Sequence, residues 1–166
     1  GIKINLEVHE VSAGTIVEEK EWKVIAESMN HDTPCLAYSF IIKDRLRLDK
    51  KKLKKFKIPN SPILGQLQLG KDVSFDGKKI KASQVTYKQL GKKVTIILDT
   101  AFTEKAILLA KNSNLLISES SFLEEDKQKA KEYHHLTAKE AATIAKKSKS
   151  QQLILTHISQ RYEFNL

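Results

Sequence analysis

Apolar and polar residues alternate at Ile2, Ile4, Leu6 and Val8, and again from Trp22 to Met29, which predicts two half-buried strands. Thr15 to Val17, following the turn residue Gly14, predicts a short strand between them. Cys35 to Ile42 is an apolar run of the kind a buried strand presents. Asp49 stands where it can cap a basic helix over Lys50 to Lys57, and Pro59-Asn60-Ser61-Pro62 then interrupts the chain. Phe75-Asp76-Gly77-Lys78 predicts a hairpin turn, because Asp-Gly accepts the positive φ angles that such a turn needs.

The second half alternates strand and helix. Strands are expected over Val94 to Leu98, Leu115 to Ser118 and Leu153 to Thr156. Helices are expected from the cap Thr103 to about Lys111, over Glu124 to Glu132, and over Ala138 to Lys147. This rhythm predicts a layered α/β fold in which ligands gather at the carboxyl ends of the strands. At 166 residues the chain supports one sizeable core and is short for two domains. It opens inside a strand pattern and closes just past Tyr162, so a single partial domain over residues 1–166, a piece of a longer fold, is the expectation.

Charge narrows the partners. The formal net charge is +9, which favours polyanions, nucleic acid before acidic membrane, unless it is simply a lysine-rich solvated surface. The single Cys35 cannot form an internal disulfide. With no signal-peptide pattern and no apolar run of transmembrane length, a cytoplasmic protein without membrane contact is expected.

Three strand ends carry possible metal ligands: His31 after Trp22 to Met29, Asp99 after Val94 to Leu98, and His157 after Leu153 to Thr156. A carboxylate can bridge two cations, and neutral imidazole is a common zinc ligand. Taken singly, Asp99 reads equally as an Asp-Thr turn and each histidine as structural; three such positions together strengthen ligation. Thr137 and Glu140 form a capping box at a helix start. His135, just before it, could act as a general acid if a carboxylate keeps it protonated, and Glu119 at the end of the neighbouring strand is the candidate. His134 is expected at the surface and His9 at an exposed strand position. Arg161 could meet a phosphate or be a plain surface arginine, and Lys50 to Lys57 could grip a phosphate backbone or be a solvated helix face.

Taken in order, these residues resemble the ribonuclease Z family, tRNA 3′-processing endonucleases of the metallo-β-lactamase fold. Asn30-His31-Asp32 through Phe40 resembles the family's third-motif histidine and the strand after it. Lys57-Ile58-Pro59-Asn60-Ser61-Pro62 is similar to its Ile-Pro-x-Gly-Pro turn, and Leu98-Asp99-Thr100 to its Gly-Asp-Thr. Ser118-Glu119-Ser120-Ser121-Phe122 stands where the family has His-Glu-Ala-Thr-Phe, and His135-Leu136-Thr137 where it has His-Ser-Thr. Leu155-Thr156-His157-Ile158-Ser159-Gln160-Arg161-Tyr162 is similar to the final histidine motif.

The resemblance implies the carboxyl-terminal half of a metallo-β-lactamase-like αβ/βα sandwich. It further implies a zinc-dependent endoribonuclease that removes the 3′ trailer from precursor tRNA, active as a homodimer. His31, Asp99 and His157 would ligate zinc, two ions per complete site, with Asp99 bridging. His135, held by Glu119, would assist departure of the 3′-oxygen, and Arg161 would contact phosphate. Leu98 and Ser61 replace glycines of the pattern, and the His-x-His-x-Asp-His motif is not in the chain. The expectation is therefore half of a metal site, inactive by itself. A non-catalytic basic nucleic-acid-binding or scaffold remnant, or another phosphodiesterase of the same superfamily, stands as the alternative.

Overall fold

The computed structural model describes residues 6–163 and divides into two compact units, Lys43–Gly91 and the remainder of the chain. The larger unit is built on one six-stranded sheet. Its strands are β1 (Gly14–Glu18), β2 (Trp22–Ser28), β3 (Leu36–Ile42), β8 (Lys92–Ile97), β9 (Leu115–Glu119) and β10 (Leu153–Thr156), in that spatial order. The first four pair antiparallel, and β8, β9 and β10 run parallel. Parallel neighbours require crossovers. The helices α4 (Glu104–Ala110) and α6 (Ala138–Ser148) supply them, with α5 (Lys127–Glu132) between.

Both crossover helices pack on the same face of the sheet. Ala106, Ile107, Leu109 and Ala110 of α4 and Ala141, Ile144 and Ala145 of α6 form one core with Ala37, Ile97 and Leu116 beneath them. The small residues let the helices lie close to the strands. Under α4 the polar groups are paired: Ser39 Oγ lies 2.7 Å from Thr95 Oγ1, which lies 2.7 Å from Ser113 Oγ. The opposite face is different. Tyr38, Phe40, Ile42, Ile96, Leu98 and Ile154 are exposed there, so the sheet forms a single αβ layer with a bare apolar side.

The smaller unit consists of short elements. The ribbon β4 (Arg45–Leu48) pairs antiparallel with β7 (Thr86–Gln89), and the hairpin β5 (Val73–Phe75) with β6 (Lys78–Ile80). Helices α1 (Lys50–Lys55), α2 (Ile63–Gln68) and α3 (Ala82–Val85) fill the space between them. Leu53, Ile58, Leu67, Val73, Ile80, Ala82 and Val85 form its own core. Asp49 caps α1 by accepting from the backbone of Lys51 and Lys52. Asp76 and Gly77, both at positive φ, make the expected turn.

Two strand expectations fail at the amino terminus. Ile2 and Ile4 lie outside the described residues, while Leu6 and Val8 are strongly exposed and belong to no strand, and His9 is exposed outside any strand, 3.1 Å from Glu7. Among the described residues, the segment before Gly14 pairs with no strand. Glu124–Glu132 begins as a 3₁₀ turn, Glu124–Asp126, before α5.

Candidate functional site

The carboxyl ends of the parallel strands converge on one cleft. Asp99 follows β8 by two residues, Glu119 ends β9, and His157 follows β10 directly. Registers Ile97 to Ser118 and Thr156 to Glu119 bring these ends level. Asp99 and His157 both adopt positive φ, +44° and +54°. A residue with a Cβ enters that region at a cost, and such strain gathers at functional sites. Asp99 lies at a bend and His157 just past the last strand residue, so both side chains stand at strand ends.

Glu119 is the hub. It is fully buried, and its carboxylate accepts from the Thr100 backbone N–H at 2.6 Å and the Ser121 hydroxyl at 2.8 Å. His135 Nδ1 lies 3.0 and 3.1 Å from its two oxygens. A buried carboxylate requires such partners, because each unsatisfied oxygen would forfeit its hydration. The backbone sets His135 in place: its N–H donates to Ala130, Phe122 N–H donates to Leu136, and Ala138 N–H donates to Phe122. Thr137 makes the expected capping box with Glu140, accepting at 3.1 Å and donating from its backbone at 3.0 Å.

Asp99 Oδ1 lies 3.1 Å from His157 Nδ1. Asp99, His135 and His157 each offer a ligand-type atom, and these atoms all lie within 4.8 Å of one another. His31 is brought to the same place, its ring edge-on to His135 at 5.2 Å, but stands outside that three-residue group. The compact triad thus contains His135 where His31 was expected. The donor chemistry, one carboxylate and several imidazoles at strained strand ends, fits a zinc-type cation.

Ser121 was not singled out by the sequence. Its hydroxyl lies 3.0 Å from His157 Nδ1, 3.4 Å from His135 Nδ1 and 2.8 Å from Glu119. One side chain therefore ties the general-acid candidate, its carboxylate and a ligand candidate together. Its position, two residues after Glu119, was the available signal. His134 also departs from expectation: it is partly buried, with Nδ1 2.7 Å from Asp32.

Arg161 is exposed and lies over the Phe122 ring at 4.8 Å, its Nε donating to Ser159 Oγ at 3.1 Å. Ser121, Phe122, Tyr133, His135, His157 and Arg161 are among the residues lining an open cleft of about 480 Å³. Cys35 lies near by, donating to the Leu98 carbonyl at 3.5 Å. Burial pushes its thiol above the ordinary value, and the charges of Asp99 and Glu119 add to that.

The fold defines the class: the chain has the metallo-β-lactamase fold. It aligns over 87% of its length with the metallo-β-lactamase fold protein YhfI of Bacillus subtilis, at TM-score 0.52 and 18% identity, covering 39% of that chain. It aligns over 90% of its length with the short form of human tRNase Z, at TM-score 0.55 and 21% identity, covering 41% of that chain. In sequence the chain matches ribonuclease Z, as its motifs predicted. Relatives of that name are 40% identical over 136 residues in Nanoarchaeum equitans and 36% identical over 165 residues in Lactococcus lactis subsp. cremoris. These alignments take in 82% and 98% of this chain and 43% and 53% of the relatives, so the chain spans about half the length of the curated relatives it matches. No family model matches the chain.

Proposed function

We propose that these residues serve a ribonuclease Z, a zinc-dependent endoribonuclease that removes the 3′ trailer from precursor tRNA. The observation that carries this is the convergence of Asp99, His135 and His157 above the buried Glu119, in a chain 36–40% identical to proteins of that name. His31, Asp99 and His157 would hold zinc, Asp99 by virtue of its two carboxylate oxygens. When bound, zinc supplies Lewis acidity that polarises a phosphoryl oxygen and lowers the pKa of water.

The chain's own residues supply the rest. Glu119 engages His135 through Nδ1, which fixes the ring and leaves Nε2 as the atom that delivers a proton to the departing 3′-oxygen. Ser121 holds both rings at their Nδ1 edges and so orients their Nε2 atoms together. Arg161, braced on Phe122 and Ser159, contributes a cation to the phosphate.

The metal site needs more ligands than these residues provide, so the 166 residues alone are expected to be inactive and the remaining ligands to come from a His-x-His-x-Asp-His motif. Homodimer formation and a cytoplasmic location accompany the reading. The absence, among the described residues, of any helix long and apolar enough to cross a membrane is compatible with that location. The test is zinc content and cleavage of 3′-extended precursor tRNA, measured with and without the complementary half of the L. lactis relative. Stoichiometric zinc and cleavage only with both halves support the proposal. Folded, zinc-loaded protein that leaves the precursor intact would sink it.

A further inference from the structure

Helix α5 ends in an arrangement that ordinarily selects glycine. The N–H of His135 donates to the Ala130 carbonyl at 2.8 Å and that of His134 to the Lys131 carbonyl at 3.3 Å, the paired bonds that close a helix through a left-handed residue. His134 is that residue, at φ +53°. Glycine enters this region without steric cost and a residue with a Cβ does not, so the histidine is held there at some expense to the fold. From this turn, His134 Nδ1 lies 2.7 Å from Asp32 Oδ1. The two atoms are close but not aligned as a hydrogen bond, and Nδ1 is shut off from solvent, so the carboxylate is what it meets in place of water.

Asp32 follows His31 in the loop 29–35 between β2 and β3. Consecutive residues of that loop therefore meet consecutive residues of the turn: Asp32 meets His134, and the His31 ring stands edge-on to His135 at 5.2 Å. On its upstream side His31 is fixed through the backbone. Asn30 N–H donates to Thr100 Oγ1 at 3.0 Å, and the Asn30 carbonyl accepts from the Ala101 N–H at 2.7 Å. Downstream, Thr33 and Pro34 are exposed, and the loop closes where Met29 N–H donates to the Cys35 carbonyl at 2.9 Å. The Asp32 side chain is 64% exposed and that of His134 38%. A pair so exposed is worth little to the stability of the whole fold. Its effect is local, on the downstream side of His31.

We propose that His134 is a positioning residue which, through Asp32, holds His31 toward His135 and the strand-end cleft. The inference rests on the reading of His31 as a metal ligand and extends it to a pair of residues outside the ligand set. A ligand already held in place loses less freedom when the metal binds. Partners one step removed from the ligands change metal affinity by roughly ten- to a hundredfold. His134 thus gives up some stability of the helix end in return for order in the site, and that exchange separates its role from a structural one.

The test uses the chain complemented by the amino-terminal half of the L. lactis relative. His134→Gly relieves the turn and removes the side chain. Its Tm is expected to hold or rise, while competition with a chromogenic chelator shows zinc bound about tenfold more weakly. In the metal-free protein, the nuclear Overhauser contact between the rings of His31 and His135 is expected in wild type and should be lost in His134→Gly. Asp32→Ala should weaken zinc to the same degree, and the double variant no further than either alone. His134→Asn tolerates the left-handed region and puts an amide N–H where Nδ1 stands, so it should recover most of the affinity. Glu104→Gln, which breaks the exposed pair with Lys147 between α4 and α6, should change nothing. If His31→Ala leaves zinc affinity unchanged, His31 is no ligand, and the reading and the proposal fall together. If His31→Ala weakens zinc and His134→Gly does not, or if the ring contact persists in His134→Gly, the proposal alone is overturned. A fall in Tm with zinc affinity kept would make the pair purely structural and overturn it as well.

Discussion

Both carboxylate oxygens of Glu119 lie within 3.1 Å of His135 Nδ1, while one of them also takes the backbone N–H of Thr100, the residue after Asp99. A single buried side chain thus sets the proton-donor candidate and, through the backbone, the metal-ligand candidate. Glu119→Gln keeps the shape but not the charge. In the chain complemented with its missing ligands, it should lower cleavage by roughly 10²–10³-fold, within the usual worth of a general acid, and leave bound zinc unchanged. Glu119→Ala should also destabilise by about 2–3 kcal/mol, because it strands the Thr100 and Ser121 donors. Equal activity of wild type and Glu119→Gln would remove His135 from the chemistry.

Ser121→Ala should weaken metal binding by about tenfold, the lower end of what outer hydrogen bonds to ligands supply, and Ser121→Thr should retain it. The hydroxyl's contact with His157 Nδ1 at 3.0 Å is the reason. Competition with a chromogenic zinc chelator measures this, in protein that carries its full ligand set.

Tyr162 Oη donates to Asp126 at 2.6 Å and accepts from the Leu123 N–H at 3.2 Å, pinning the turn after His157 to the segment before α5. Lys129 first and Tyr162 second hold the Asp126 carboxyl below its ordinary value of 3.8, while burial and Asp126 push the Tyr162 hydroxyl up. A carboxylate depressed on folding stabilises the fold above its unfolded value, and that contribution disappears as pH falls through the folded one. Asp126→Asn should therefore lower Tm at neutral pH, with the difference from wild type closing below pH 3.8. A difference that persisted in acid would refute the linkage.

The bare face of the main sheet carries Tyr38, Phe40, Ile42, Ile96 and Leu98, all exposed. Contiguous apolar patches of this kind drive association. The 166-residue chain should bind a hydrophobic dye and self-associate in analytical ultracentrifugation, and Phe40→Glu with Ile96→Glu should reduce both. A monodisperse wild-type monomer without dye binding would contradict this.

Much of the main sheet could be read from sequence because its signals are local. Trp22 to Met29, Val94 to Leu98 and Leu153 to Thr156 show strand periods or runs bounded by turn residues, and the caps Asp49, Thr103 and Thr137 act on donors within three residues. The β4–β7 ribbon was not readable: Arg45-Leu46-Arg47-Leu48 is four residues long and pairs with a partner about forty residues away. Helix α2 was hidden by Pro62 before it and Gly65 within it. In the site, Asp99, His135 and His157 stand out by residue type at strand or helix ends. The positive φ at Asp99 and His157 and the bridging hydroxyl of Ser121 do not, because both arise from tertiary placement. Leu6 and Val8 show the converse, alternating apolar residues that are exposed and belong to no strand.

The central proposal is that Asp99, His157 and His31 help hold the metals of an enzyme that cuts precursor tRNA. Its most direct measurement is sequencing of the 3′ ends formed when the chain, complemented by the amino-terminal half of the L. lactis relative and loaded with zinc, meets a 3′-extended precursor tRNA. One cut that releases the trailer, abolished by Asp99→Ala and by His157→Ala with the complex still assembled, is the predicted result. An uncut precursor, or cleavage that survives both substitutions, would contradict it.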